Sequence, residues 1–295
     1  MTERLILFVI VLVVVAILAW LPGAGRALAA PLEAVGDLVG WFDRRLNRPD
    51  RSAANRAARG LLVLVIVAGM AAVVGAAIAR GGTLIEAIAL ATLIDAQGFR
   101  AARRAAQSVD AAREEHHALA RGAIERLANS FAIGVVGAAF WYLLLGLPGL
   151  AAIRAVDVVA GRIGGFSPRY AAFGRIARGA ELLLQLIPAP LAGMLISLAA
   201  VFAPRAHPLR AVKTMLRDAS HAGGGWAWSA VAGALDLSLG GPRHYPDVTV
   251  SGPWIGDGRA RATARDVAAA IYLIGVATLL TAGIMGALAL GRLGV

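Results

Sequence analysis

Four consecutive titratable residues, Glu114-Glu115-His116-His117, form a first group that could do chemistry. Carboxylate and imidazole groups bind divalent cations, so the run is a candidate metal site. Side chains at adjacent positions of a helix point in different directions, however, and cannot converge on one ion. The pattern therefore favours a solvated helix face, and the sequence predicts no metal ligands.

A second group is the glycine run Gly223-Gly224-Gly225, whose unobstructed backbone N–H groups could bind a phosphate. A nucleotide-binding loop of the Walker type would continue with Lys and then Ser or Thr, whereas this run continues with Trp226. We interpret it as a flexible turn. The chain contains no Cys, which excludes a thiolate nucleophile, a Cys-ligated metal and a disulfide framework.

The composition indicates that a bilayer surrounds much of the chain. Of 295 residues, 59% are hydrophobic and 16% are charged, and the mean hydropathy is +0.71. A soluble domain carries about 25% charged residues. The net charge is +11, and nearly all basic residues are Arg. Because no known nucleic-acid module accompanies this charge, we expect the arginines to contact anionic lipid headgroups and expect no nucleic-acid partner.

Apolar segments long enough to cross the hydrocarbon core, or nearly so, recur along the chain. They occupy residues 5–20, 60–79, 131–153, 182–203 and 267–290. The first segment has an alternative interpretation as a secretory signal peptide, because the small residues 27–30 follow it. Its length, and the Pro22, Gly23 and Arg26 that separate it from those residues, favour a retained span.

One shorter apolar segment and two polar segments lie between these spans. Residues 83–95 are short for a span and contain Glu86 and Asp95, so we expect an intramembrane or interfacial helix. Residues 96–130 and 204–266 form two polar lobes. Pro148, Pro188 and Pro190 predict bent or broken helices. The sequence thus predicts an all-α integral membrane protein of about five transmembrane helices, forming one membrane domain over 1–295.

Two stretches in the second half carry an ordered succession of motifs. They read RGAIERLANSFAIGVVGAAFWYLLLGLPGLAAIRAVD over 121–157 and GFSPRYAAFGRIARGAELLLQLIPAPL over 165–191. Further matches fall at 217–219, 225–226, 240–245 and 256–258, and a weaker one, GWFDRRLNRP, at 40–49. Together they resemble the adenosylcobinamide-phosphate synthases of cobalamin biosynthesis, the CobD/CbiB family.

The resemblance implies a membrane-embedded ligase. Members of the family join an aminopropanol unit, or its phosphate, to a propionate side chain of adenosylcobyric acid through an amide bond. The family is taken to use ATP, so ATP and Mg²⁺ are the implied cofactors and a corrinoid is the implied ligand. The expected location is the bacterial inner (cytoplasmic) membrane, which the chain would cross several times. Membrane lipid is the expected partner, and other membrane-protein subunits are expected partners if the chain serves in an assembly.

Carried over residue by residue, the family motifs imply two catalytic acids, Asp157 and Glu181. They also imply substrate-binding residues, which are Arg169, Tyr170, Arg217, Asp218, Trp226 and Tyr245. Several family acids are replaced, however, and the residues found at those positions are Asn129, Ile133, Ala160 and Leu182. An apolar side chain cannot bind a metal, shuttle a proton or orient an amine, so these departures put ligase activity in question.

Three hypotheses for function therefore stay open at this point. The first is a divergent synthase that uses the remaining acids. The second is a catalytically degenerate paralogue that acts as a structural or assembly subunit of a membrane complex. The third is a corrinoid-binding protein that has lost the ligase activity. Whether the chain is an enzyme is open in the same way.

Overall fold

A computed structural model describes most of the chain. The described residues are 1–19, 21, 24–95, 97–108, 114–165, 167–219, 225–245, 248–250 and 252–293. Within these ranges, the side chains of residues 24–26, 114–115 and 243–250 are not described.

Helices make up nearly all of the described structure, as the composition predicts. They are α1 (Thr2–Leu18), α2 (Ala24–Leu46), α3 (Ala53–Ala79), α4 (Thr83–Leu93), α5 (Gln97–Ser108), α6 (Glu114–Phe131), a π-helix (Ala132–Gly137), α7 (Ala138–Ile163), α8 (Arg175–Leu184), α9 (Pro188–Ala199), α10 (Pro208–Asp218), α11 (Gly225–Leu235) and α12 (Ala264–Leu293).

Short strands occur within the second polar segment. They are β1 (Leu239–Gly240), β2 (Arg243–Tyr245), β3 (Val248–Val250) and β4 (Trp254–Ile255). Strand β1 pairs antiparallel with β4, with Leu239 opposite Ile255, and β2 pairs antiparallel with β3. The sequence did not predict these strand pairs.

The described residues include three helical stretches long and apolar enough to cross a membrane, namely Ala53–Ala79, His116–Ile163 and Ala264–Leu293. Helices α8 and α9 form a bent pair that makes a fourth if the two count as one span. The predicted span at 5–20 falls on α1, an apolar helix of 17 residues, and residue 20 lies outside the described residues. The chain is an all-α membrane protein.

The predicted bend near Pro148 is present, two residues earlier. Gly146 has φ 71° and ψ −168°, which no helical residue adopts, so the helix kinks there. Glycine tolerates this conformation because it has no Cβ, and the proline that follows cannot donate the helical hydrogen bond from its nitrogen.

The chain divides into two compact units. Unit 1 comprises Met1, Arg26–Ile94 and Ala138–Leu186, and unit 2 comprises Thr2–Gly25, Asp95–Gly137 and Ile187–Val295. In unit 1, α3 packs along α7 over a core that includes Val63, Val67, Val159 and Phe173. In unit 2, α9, α10 and α11 pack on one another, and α12 packs against α1, α5 and α6. The interpretation of 1–295 as a single membrane domain stays a prediction.

Candidate functional site

The two acids that the resemblance marks as catalytic lie together in unit 1, where α7 packs against α8. Arg154 Nη1 donates to Asp157 Oδ2 at 3.1 Å, and the two side chains are only 8% and 7% exposed. The carboxylate of Glu181 interacts electrostatically with that of Asp157 and with the guanidinium of Arg178. Two carboxylates and two guanidiniums thus form one charged cluster inside an apolar unit.

Sequence reasoning missed the two arginines of this cluster. Each acid has an arginine three residues before it, Arg154 before Asp157 and Arg178 before Glu181. Residues at this spacing are neighbours on a helix surface and pair when their charges are opposite. The separation of three residues between each arginine and its acid is therefore the sequence pattern that indicates these two arginines.

Two buried polar atoms at the cluster lack a hydrogen-bond partner among the described residues, Arg154 Nε and Gln185 Oε1. Gln185 follows Glu181 by one helical turn and stands where the family pattern has an Asn. Buried polar groups are usually hydrogen-bonded, and exceptions often mark a place where a ligand binds. The cluster therefore combines four charges with unused donor and acceptor capacity.

A second polar group in unit 1 contains the predicted binding residues Arg169 and Tyr170. Arg169 Nη2 donates to Asp43 Oδ2 at 2.8 Å, and the Tyr170 hydroxyl donates to the same oxygen at 3.2 Å. Asn47 Nδ2 donates to Asp43 Oδ1 at 2.8 Å, and Arg56 donates to the Asn47 side chain and to the Arg169 carbonyl. These bonds tie α2 and α3 to the turn before α8.

The electrostatics of this group follow from the buried Asp43. Burial, and then the negative charge of Asp43, raise the pKa of Tyr170 above its ordinary value of 10.0. Arg169 and Tyr170 both donate to a carboxylate of the same chain, and their role in binding substrate stays a prediction. Asp43 was missed, although it belongs to the quoted 40–49 match.

The predicted pair Arg217 and Asp218 ends α10 in unit 2. Arg217 donates to Asp257 through both terminal nitrogens, at 2.5 and 3.0 Å, and to Asp218 at 2.6 and 2.8 Å. Asp218 Oδ2 also accepts from the Gly256 backbone N–H at 2.9 Å. Arg217 lowers the pKa of Asp257 by hydrogen bonding. This network pins the end of α10 to the turn after β4, and Asp257 is a member that sequence reasoning did not select.

The other two predicted binding residues also belong to unit 2. Trp226 lies half-buried at the start of α11. Tyr245 pairs through its backbone with Val248, and its side chain lies outside what the structure describes. Nearby, the buried Glu125 accepts from the Gly240 N–H at 2.7 Å. Glu125 lies within the quoted stretch 121–157 but was not selected from the sequence.

The replaced positions have different environments. Ala160 is buried in α7, and Leu182 is 63% exposed on α8. Asn129 is half-buried in α6, and Ile133 lies in the π-helix, a feature that often marks functional sites. At none of these four positions does the side chain carry a carboxylate.

The remaining candidates from the sequence do not form a metal site among the described residues, where no three His, Asp or Glu side chains form a suitable group. His117 Nδ1 lies 2.7 Å from the Ala262 carbonyl oxygen. The side chains of Glu114 and Glu115, and the glycines at 223 and 224, lie outside the described residues.

The protein is thus an all-α membrane protein with two charged groups. Unit 1 contains the cluster of Asp157 and Glu181, and unit 2 contains the network in which Arg217 binds Asp218 and Asp257. The profile of the CobD/Cbib protein family matches residues 12–274. The chain belongs to this family.

Curated relatives agree with this assignment. The chain is 35% identical over 291 residues to "Cobalamin biosynthesis protein CobD" of Sinorhizobium sp, covering 88% of this chain and 90% of that protein. It is 33% identical to the protein of the same name from Rhizobium meliloti, covering 91% and 92%. It is 31% identical to that of Brucella anthropi, covering 85% and 86%. No solved structure matches the chain.

The residues of the unit 1 cluster do not fit the Mg²⁺ that the family resemblance implies. Mg²⁺ is held by carboxylates together with substrate phosphates. Here Arg154 already binds Asp157, and Arg178 lies within electrostatic reach of Glu181. Two guanidiniums beside two carboxylates repel a divalent cation, so no step of the chemistry is assigned to Mg²⁺ or ATP at this place.

Proposed function

We propose that this chain acts in cobalamin biosynthesis, at the step that joins an aminopropanol unit, or its phosphate, to adenosylcobyric acid. Membership of the CobD/Cbib family and relatives named cobalamin biosynthesis proteins support the pathway. The apolar helices and the bacterial relatives support a multi-pass location in the inner membrane.

The observation that carries the choice of step is the cluster of Asp157 and Glu181 with Arg154 and Arg178. Aminopropanol phosphate has an ammonium group at one end and a phosphate at the other. Carboxylates accept hydrogen bonds from an ammonium group, and the planar guanidinium of Arg matches phosphate oxygens. Charges inside a membrane-embedded unit are costly and are usually retained for function. In this proposal the cluster binds the small substrate and orients its amine.

A titration calorimeter can test this binding. Purified full chain in detergent would be titrated with aminopropanol phosphate, and we expect saturable binding that Glu181→Gln weakens, because the amide cannot provide the negative charge. The matched control is Glu33→Gln, which changes an exposed acid of α2 in the same unit. Equal affinities in the wild type and in both variants would contradict the assignment.

A second candidate is a non-catalytic subunit of a membrane complex, or a corrinoid-binding protein without ligase activity. The observation that favours it is the loss of acids at Ile133, Ala160 and Leu182, together with the use of Asp157 as an ion-pair partner of Arg154. A titration with cobyric acid or cobinamide, and a pulldown in mild detergent, distinguish its two forms. Binding of a corrinoid without any amide product would favour the carrier, and a stable co-purifying membrane protein would favour the subunit.

A further inference from the structure

Helix α10 presents an exposed apolar stripe that no other part of the described structure covers. Leu209, Val212 and Leu216 are 86%, 41% and 66% exposed. They are spaced by three and four residues and therefore lie on one face of the helix. The face that packs into unit 2 is a different one, formed by the buried Ala211, Thr214 and Met215.

A basic stripe flanks the apolar one. Arg210, Lys213 and Arg217 each follow a member of the apolar stripe by one residue, which places them about 100° further round the helix. Arg210 pairs with Asp236 at 2.8 Å and keeps 58% of its side chain exposed. Arg217 keeps 45% exposed within its network. The helix thus has a buried face, an exposed apolar face and an exposed basic face.

The neighbouring helix in the same unit, α9, also has an exposed apolar face. Gly193 of α9 lies so close to Met215 of α10 that an added Cβ would be 2.7 Å from its sulfur atom. Helix α9 is the second half of the bent candidate span. Its exposed large apolar residues share one face, and they are Leu191, Met194 and Leu198; Val201 and Phe202, just after the end of α9, are exposed as well. The two neighbouring helices α9 and α10 therefore both expose apolar side chains.

Helix α10 cannot itself cross the bilayer. Its 11 residues span about 16 Å at 1.5 Å per residue, against about 30 Å of hydrocarbon. A short helix with an apolar face and a Lys- and Arg-rich flank is the type that lies in the plane of a membrane surface. Arg210 and Arg217 have carboxylate partners within unit 2, and anionic headgroups complement the parts of these two side chains and of Lys213 that stay exposed.

We propose that α10 is an interfacial helix, whose Leu209, Val212 and Leu216 enter the outer acyl layer of an anionic bilayer while Arg210, Lys213 and Arg217 contact lipid phosphates. The lipid surface is the partner of this face. The helix then holds Arg217 and Asp218 at headgroup level. This inference rests on the membrane fold and not on the proposed reaction.

The absence of Cys from the chain makes a labelling test direct. Single-cysteine variants Leu209→Cys and Leu216→Cys would carry an environment-sensitive fluorophore in the full chain, reconstituted in vesicles of phosphatidylglycerol and phosphatidylethanolamine. Both side chains are exposed, so the labels do not disturb the core. Arg210→Cys, one residue along and on the basic face, is the matched control.

We expect a blue-shifted emission for the labels at 209 and 216. Lipids with a nitroxide near the headgroup should quench these labels more strongly than lipids with a nitroxide at the chain end, and aqueous iodide should quench them weakly. The label at 210 should be the one that iodide quenches. Iodide quenching of all three labels to the same extent would overturn the proposal. Protection of the 209 label from both lipid nitroxides and iodide would also overturn it, because a second protein surface would then cover the stripe.

Discussion

Arg154 and Asp157 form a hydrogen-bonded ion pair of 3.1 Å on one turn of α7, with both side chains more than nine-tenths buried. A buried pair of this kind contributes little net stability, but removal of one partner leaves an uncompensated charge in an apolar environment. Arg154 therefore holds in place the carboxylate of Asp157, one of the two acids that the family resemblance marks as catalytic.

Replacement of one partner should destabilise unit 1 strongly. We expect Arg154→Met to lower the free energy of unfolding by about 3–5 kcal/mol, because Asp157 would be buried without its counter-charge. Thermal unfolding in detergent would measure the loss. The control is Arg162→Met, whose pair with Asp37 is 3.8 Å long and exposed, for which we expect about 0–1 kcal/mol. Similar losses in the two variants would show that the Arg154 pair is solvated.

The phenol of Tyr170 should respond to the charge of Asp43. Its pKa is raised by burial and by that carboxylate, so Asp43→Asn should lower the pKa of Tyr170. Ultraviolet absorbance of the phenolate would measure it, with a Tyr170→Phe spectrum subtracted. Because the folded protein holds this proton more tightly than the unfolded chain, the contribution to stability is present below pH 10 and is lost as the pH rises further. An unchanged Tyr170 titration in Asp43→Asn would contradict the contact.

The Asp218 carboxylate should protect the turn after β4. It accepts from the Gly256 N–H at 2.9 Å, so Asp218→Ala should speed hydrogen exchange of the Gly256 amide, measured by mass spectrometry of its peptide. Asp236→Asn alters the exposed pair that Asp236 forms with Arg210 of α10 and should leave that exchange rate unchanged. Slow exchange at Gly256 in Asp218→Ala would mean that another group protects the turn.

Two glycines of α3 provide a test of its packing. A Cβ at Gly60 would lie 1.8 Å from the Phe173 carbonyl oxygen, whereas a Cβ at Gly69 meets nothing within 4 Å. We expect Gly60→Ala to destabilise the protein by about 1–3 kcal/mol through overpacking. Gly69→Ala should be neutral or stabilising by up to about 1 kcal/mol, since Ala favours helix. Thermal unfolding of the two variants at the same detergent concentration would measure the difference in stability. An equal effect at both sites would contradict the close approach of α3 to Phe173.

The sequence predicted the parts of the fold that a repeated local pattern determines. The apolar run 60–79 became α3, and the acid-bearing run 83–95 became the short helix α4. The pairs at 239–240 and 254–255 were not predicted, because two-residue strands in a Gly- and Pro-rich segment have no alternating pattern.

Of the four charged residues in the unit 1 cluster, the sequence analysis selected the two acids but not the two arginines. The resemblance selected Asp157 and Glu181, and α7 and α8 bring them together. Which partner each residue takes depends on packing between segments far apart in sequence, as in the 126-residue separation of Asp43 and Arg169. No local pattern contains that information. The arginines at 154 and 178 are the exception. Each lies three residues before its acid, so the sequence alone contains the pattern that pairs them.

Complementation tests the central claim most directly. The wild-type chain, Glu181→Ala and Glu33→Gln would be expressed in a bacterium that lacks its own synthase, with each protein quantified in the membrane fraction. Cobalamin-dependent growth on cobyric acid would then be measured. The proposal predicts growth with the wild type and Glu33→Gln and loss of growth with Glu181→Ala. No growth with a wild-type chain that is present in the membrane, or equal growth with all three, would contradict it.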